Sequence, residues 1–331
     1  MDSRMTAKQL CMAIGVGILI QGALHLAWGP ISIQWLNALS TWSNPSTTDS
    51  LVFFHVRLPR VLTAMAAGSG LALSGLLLQT WFHNPLAGPS VLGISAGSSL
   101  GVAVIILTGL TWGWWGVTTA AVGGGMLTLL LILAVSRRFH GSATLLIFGL
   151  MLSYVVGAVV TVLQAEAAQD ALQQFVFWGM GTFGQAPLRI SGLMLLMVAI
   201  AGRMIFLRSR DLDAWTLGSI TAQSMGVDAK KLKYSVIGIT GVLAGIITAV
   251  CGPVAFLGLA TPHLVRLVSD ERSHRRLIPL TILMGAFIAL LADWGVRAPG
   301  IDGGGWPLNA VLSLLGGPMV VWVLLRKTWN A

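Results

Sequence analysis

Apolar residues run along this chain in blocks too long and too numerous for the interior of a soluble protein, and polar residues fall mainly between them. A helix needs ~20 residues to cross a bilayer. By that measure the blocks predict about ten spans, at 9–28, 59–80, 90–110, 115–136, 143–164, 189–208, 234–251, 253–268, 277–296 and 307–325. The chain is therefore expected to be an all-α polytopic membrane protein with one transmembrane domain over 1–331. Arg4 and Lys8 precede the first block, but its length and the want of a small-residue cleavage site after it predict a retained helix.

The longest clearly polar and charged stretch between the termini, 211–233, separates a first half of about 1–210 from a second half, 234–331. Asp211 and Asp213 suit a helix start, Trp215, Leu217, Ile220 and Met225 give a rough apolar face, and Gly226 is a stop signal. Asp228 then opens a second short turn carrying Lys230, Lys231 and Lys233. Two readings stand: a pair of short helices forming a docking knob on a membrane face, or an ordinary loop.

Composition sharpens this picture. The chain is 55% hydrophobic and 9% charged, against about 25% charged in a soluble domain. Its 40 glycines among 331 residues suit membrane helices, where small residues let backbones approach closely. An even number of spans puts both termini on one side. If that side is the cytosol, the other keeps only Arg57, Arg60, Arg189 and Arg297 of the 20 Lys and Arg, as the positive-inside rule requires. The net charge of +9 is then topology, and no nucleic-acid partner is expected.

Several residues invite a chemical reading. Arg57 and Arg60 flank Pro59 at an outer membrane edge, where they either snorkel to headgroups or form a cationic patch for an acidic partner, which Arg297 would join. Gly93, Ser95 and Gly97 match the G-x-S-x-G nucleophile elbow, which would make the chain an intramembrane hydrolase. That motif needs a strand before it, whereas Gly93, Gly97 and Gly101 repeat every four residues as a packing stripe. His263 is read as a hydrogen-bonded packing residue, since no second ligand stands at metal-binding spacing. Asp293 lies four residues before Arg297, the order of a helical ion pair. Cys11 and Cys251 fall in apolar runs and predict neither a disulfide nor a metal site. Glu166 and Asp170 precede an outer-face loop or short helix, and Pro318 after Gly316-Gly317 predicts a kink or a tight approach.

Two further features bear on mechanism. Gly88-Pro89 followed by Gly93 is echoed by Gly252-Pro253 followed by Gly258, on opposite sides of the membrane, as in an inverted repeat. No G-x-x-x-x-G-K-[ST] occurs, so no P-loop cradles ATP in this chain and energy must come from a partner or an ion gradient. A gradient-driven carrier of a small polar substrate is the alternative reading. It calls for mid-membrane carboxylates, and only Asp293, near one end of its span, is available.

RLPR at 57–60, LALSGLLLQTWFHNPLAGPSVLGISAG at 71–97, LGSITAQSMGVDAKKLK at 217–233, CGPVAFLGLATPHLVRL at 251–267, RRLIPL at 275–280 and LLAD at 290–293 together resemble the permease subunit of type II ABC importers for ferric siderophores, haem and cobalamin. The resemblance covers nearly the whole chain in the family's order. It implies a ten-helix permease in the inner membrane, paired with a second permease subunit, identical or paralogous. It further implies two cytosolic ATPase subunits carrying the ATP-Mg, and a periplasmic binding protein delivering cargo. The chain itself would be no enzyme and hold no cofactor. Leu217, Gly218, Ala222, Gly226 and Val227 match the family's ATPase-coupling helices. Arg57, Arg60 and Arg297 match arginines that dock acidic residues of the binding protein, and the fifth and tenth helices would line the pathway. Two departures stand out: Gly305-Trp306-Pro307 replaces a common Glu-Leu-Pro, and Thr261 replaces an aliphatic residue before Pro-His.

Overall fold

A computed structural model describes residues 6–29, 31–34, 47–110, 113–138, 142–269, 271–297 and 305–329. Its regular secondary structure in these segments is helical. Helix α1, Ala7–Ala27, starts on a capping box in which Thr6 and Gln9 exchange hydrogen bonds. A short α2, Thr48–Val52, passes through a π-type turn at Phe53–Arg57 into α3, Leu58–Phe82, with Pro59 in its first turn. There follow a 3₁₀ turn, Pro89–Leu92, then α4, Ile94–Leu107, α5, Gly113–Arg138, α6, Ser142–Glu166, and α7, Gln169–Met180. The chain continues with α8, Leu188–Phe206, and two short helices, α9, Ser209–Thr216, and α10, Ser219–Ser224. It closes with α11, Ala229–Cys251, α12, Leu257–Ser269, α13, His274–Val296, and α14, Leu308–Trp329.

Every expected span contains a helix. Seven described helical segments are long and apolar enough to cross a bilayer, while α4 falls short of that length. The eighth expected span begins at Leu257, four residues later than Pro253, because Phe256 takes a left-handed φ of 64° and the chain stays irregular from the turn at Gly252. The acidic segment after the fifth span is the amphipathic helix α7, with Phe175 and Trp178 turned inward.

Helix α3 is the centre of the bundle. From Thr63 to Phe82 almost every side chain is buried, whereas α1 and α6 are mostly exposed on their outer faces, as helices bathed in lipid are. Glycine lets the neighbours close on it. A Cβ on Gly68 would strike the backbone oxygen of Gly285 in α13 and come within 2.5 Å of Ala289 Cβ. One on Gly75 would land on the carbonyl of Gly258 in α12. Of the expected Gly93 to Gly101 stripe, Gly97 and Gly101 do the same against α5, where a Cβ on Gly97 would stand 2.6 Å from Gly124 O, while Gly93, the left-handed cap of α4 at φ 77°, faces Gly149 O of α6 at 2.9 Å. Packing therefore accounts for G-x-S-x-G, and Ser95 Oγ lies 3.2 Å from Thr248 Oγ1 with no strand in its context. Gly316 closes onto Phe256, 2.6 Å from where its Cβ would be, which is the tight approach expected beside Pro318.

Candidate functional site: a braced knob and a buried charge cluster

The polar stretch forms a knob at the end of α3. Its break falls at Gly218, φ 107°, between α9 and α10, and a second left-handed glycine, Gly226 at φ 87°, ends α10 with its N–H donating to Gln223 O at 2.9 Å. Gly226 is thus the stop its place predicts, and the break at Gly218, eight residues earlier, is an additional one. Asp228 caps the membrane helix α11 itself by accepting from Lys231 N at 3.0 Å, so Lys230, Lys231 and Lys233 belong to the first five residues of α11 and form no separate helix. That backbone N–H holds the Asp228 carboxyl below the usual carboxylate range.

Two latches hold the knob. Trp215, expected on one apolar face with Leu217, Ile220 and Met225, parts from those three: it is buried, stacked on Trp81 of α3 with centroids 4.3 Å apart and planes 5° from parallel. Its Nε1 donates to Trp81 O at 3.2 Å, and His83, in the left-handed cap of α3, donates to Trp215 O at 2.9 Å. Asp213, expected to start its own helix, instead serves the N-terminus of α13: it accepts from His274 N at 2.7 Å, His274 Nδ1 at 2.7 Å and Ser273 Oγ at 2.9 Å. His274 Nε2 lies 2.7 Å from Thr80 Oγ1 on α3, closing the loop between knob, α13 and α3. Nearby, Arg266 of α12 donates to Gln79 Oε1 at 3.0 Å, and His263 bonds Pro85 O at 2.8 Å, in the packing role its lone position predicts.

Three large apolar side chains stand outside the latches, among the exposed polar Thr216, Ser219, Thr221, Gln223 and Ser224. Leu217, Ile220 and Met225 are 64%, 85% and 62% exposed, while Ala222 is sealed beneath them. Leu217, Gly218, Ala222, Gly226 and Val227 therefore share one small element, with Ala222 as its filling and the two glycines as its corners.

At the other end of α3 the three arginines come together around a different logic. Arg57, 5% exposed, donates to Leu26 O at 2.7 Å, Ala27 O at 2.8 Å and Ile31 O. It caps the last turn of α1 and turns no face outward. Arg60 grips Asp293 with Nε 3.0 Å from both carboxylate oxygens and Nη2 2.9 Å from Oδ1. Arg297 Nη2 stands 2.8 Å from Asp293 Oδ2, the helical pair its spacing predicts, and His25 of α1 lies 3.4 Å away. Asp293 is 1% exposed and ties α1, α3 and α13 together. No group of three or more His, Cys, Asp or Glu among the described residues is placed to hold a metal.

A bundle of bilayer-length helices, with a knob braced at one end of its central helix and a charge cluster at the other, is the architecture of a polytopic membrane protein. The chain belongs to the FecCD transport family, whose sequence model matches residues 17–326. It is 34% identical over 323 residues to the hemin transport system permease protein HmuU of Yersinia pestis, covering 94% of this chain and 95% of that one. It is 32% identical over 294 residues to the vitamin B12 import system permease protein BtuC of Escherichia coli, covering 88% of each. Among solved structures, an inward-facing transporter of the proposed metal-chelate ABC type superposes with a TM-score of 0.85 at 28% identity, over 96% of this chain and 99% of that one. PsaBC of Streptococcus pneumoniae shares the fold at a TM-score of 0.55 and 13% identity.

Proposed function

We propose that this chain is the transmembrane permease of an ATP-driven importer that carries an iron chelate, haem or cobalamin from a periplasmic binding protein into the cytoplasm. The observation that carries the proposal is the knob: three exposed apolar side chains on a base latched to α3 and α13, in a chain of a transport family whose sequence has no P-loop of its own. A partner ATPase gripping Leu217, Ile220 and Met225 would pull on α9, and through Trp215 and Asp213 on α3 and α13 together. ATP binding and hydrolysis on two such subunits would rock the helices between outward-open and inward-open arrangements.

On this reading the chain has ten spans with both termini in the cytosol, and α4 and α12 are the half-length helices of an inverted repeat, each opening after a Gly-Pro loop. Gly258 and Pro89 bring those two openings into contact. A second permease subunit would complete the pathway along α6 and α14. Arg60 and Arg297, partly exposed above Asp293, would meet acidic residues of the binding protein, with Arg57 supporting that face as the cap of α1.

The test is uptake into proteoliposomes containing this chain and its co-purified ATPase, with binding protein loaded in turn with haem, a ferric siderophore or cobalamin. Uptake of one cargo that stops without ATP supports the proposal. Uptake driven by an ion gradient alone, with no ATPase co-purifying, overturns it in favour of a secondary transporter.

A further inference from the structure

Between α8 and α13, over Ser69 of α3, lies a groove of about 350 Å³. Leu195, Ala199 and Phe206 form one wall, Ile278, Pro279 and Ile282 the other, and Arg203 stands near the end closest to the knob. Gly202 and Ala199 leave it open by adding almost no side-chain bulk on the α8 side, and Ser69 is not free to serve a polar guest, because its Oγ donates to Ile282 O at 2.9 Å. The outer face of α8, with Leu193, Leu196, Ile200, Met204 and Leu207 exposed, marks this side of the bundle as facing hydrocarbon.

We propose that this groove seats one acyl chain of an anionic phospholipid, with the lipid phosphate at Arg203. The dimensions point to a chain. From Leu195 to Arg203, where the phosphate would sit, the α8 wall runs about 12 Å at 1.5 Å per residue, within the ~15 Å depth of one leaflet's share of the hydrocarbon core. Over the full groove, Leu195 to Phe206, the space between the walls is roughly 8 Å across, narrower than a helix ~10–12 Å wide with its side chains.

The charge selects the headgroup. Arg203 is exposed and has no hydrogen bond or ion pair from its side chain among the described residues. Arg275 lies one helical turn from Ile278 and Pro279 at the same end of the groove, and it too has no acidic partner among the described residues. These cations sit on the knob side, and the cytosolic leaflet, where the proposed topology puts that side, carries the anionic lipids.

Native mass spectrometry of the full chain with its co-purified ATPase, delipidated and then titrated with phosphatidylglycerol or phosphatidylcholine of identical acyl chains, tests this directly. About fivefold stronger retention of phosphatidylglycerol is expected, the worth of one cationic contact at a membrane surface. Arg203→Ala should erase the preference between headgroups, and Ala199→Phe, which fills the slot from an exposed position, should weaken both lipids. Glycerol phosphate alone should not compete, since it lacks the chain. Each variant is first checked for an unchanged elution profile. Equal retention of the two lipids, competition by glycerol phosphate, undiminished binding in both variants, or a second protein chain displaced by Ala199→Phe would each overturn the assignment.

Discussion

The stack of Trp215 on Trp81 makes a demanding prediction. Trp215→Ala removes a side chain that is 6% exposed, and deleting a buried Trp costs about 3–5 kcal/mol. The parallel stack at 4.3 Å adds about 0.5–1.5 kcal/mol, and the lost Nε1 hydrogen bond to Trp81 O about 1 kcal/mol. Helices of 8 and 6 residues cannot hold themselves against a loss of that size, because isolated helices below ~12 residues are marginal in water. The knob should therefore come off its base while the membrane spans stay folded. Hydrogen exchange of the amides over 209–227 in proteoliposomes should quicken by about a thousandfold or more, taking tenfold per 1.4 kcal/mol, and ATP-driven uptake should stop. Trp215→Phe keeps a stacked ring and loses the Nε1 bond, so its exchange should quicken only about tenfold. Wild-type protection and uptake in Trp215→Ala would refute the latch.

Three other outcomes are expected. Gly226→Pro should reach the membrane in normal amount yet fail in ATP-driven uptake, because proline cannot take φ 87° or donate to Gln223 O; normal uptake would remove the knob from the coupling path. Asp293→Asn should lower stability by about 2–4 kcal/mol, below the ~3–5 of a wholly buried pair because Arg60 and Arg297 keep 20% and 18% exposure. An unchanged melting temperature in detergent would show the cluster to be incidental, and Arg297→Gln added to Asp293→Asn should recover part of the loss. Gly75→Ala should abolish accumulation of folded protein, since its Cβ meets the Gly258 carbonyl, whereas Gly15→Ala, with nothing within 4 Å, should be silent; equal yields would contradict the packing of α3 on α12.

The spans were legible because lipid imposes a length and a polarity that local sequence reports faithfully. The pairing of Gly97 with Gly101 was legible for the same local reason, four-residue spacing on one helix face, whereas Gly93 leaves that stripe because it caps α4 in a left-handed turn against α6. The latches were not. Trp81 and Trp215 are far apart in sequence, and nothing near Trp215 distinguishes a ring that faces a docking partner from one that stacks on its own scaffold. Asp213 looks like a helix starter where it stands, and it is one, but for α13. Arg57 shows the same limit: its place beside Arg60 suggests a shared outward role, yet the chain end of α1 reaches its guanidinium first and claims it with three carbonyls. Local charge predicts that a residue needs a partner, and only tertiary structure decides which.

The all-round burial of α3 also bears on where cargo can travel. A helix whose backbone touches α12 and α13 through glycine, with no side chain thinner to retreat to, is a solid axle. Nothing the size of haem or cobalamin can pass through the middle of such a chain. On the proposed function the route would then run along its rim, beside α6 and α14, and each chain would supply one bank of a channel whose other bank is a second permease subunit.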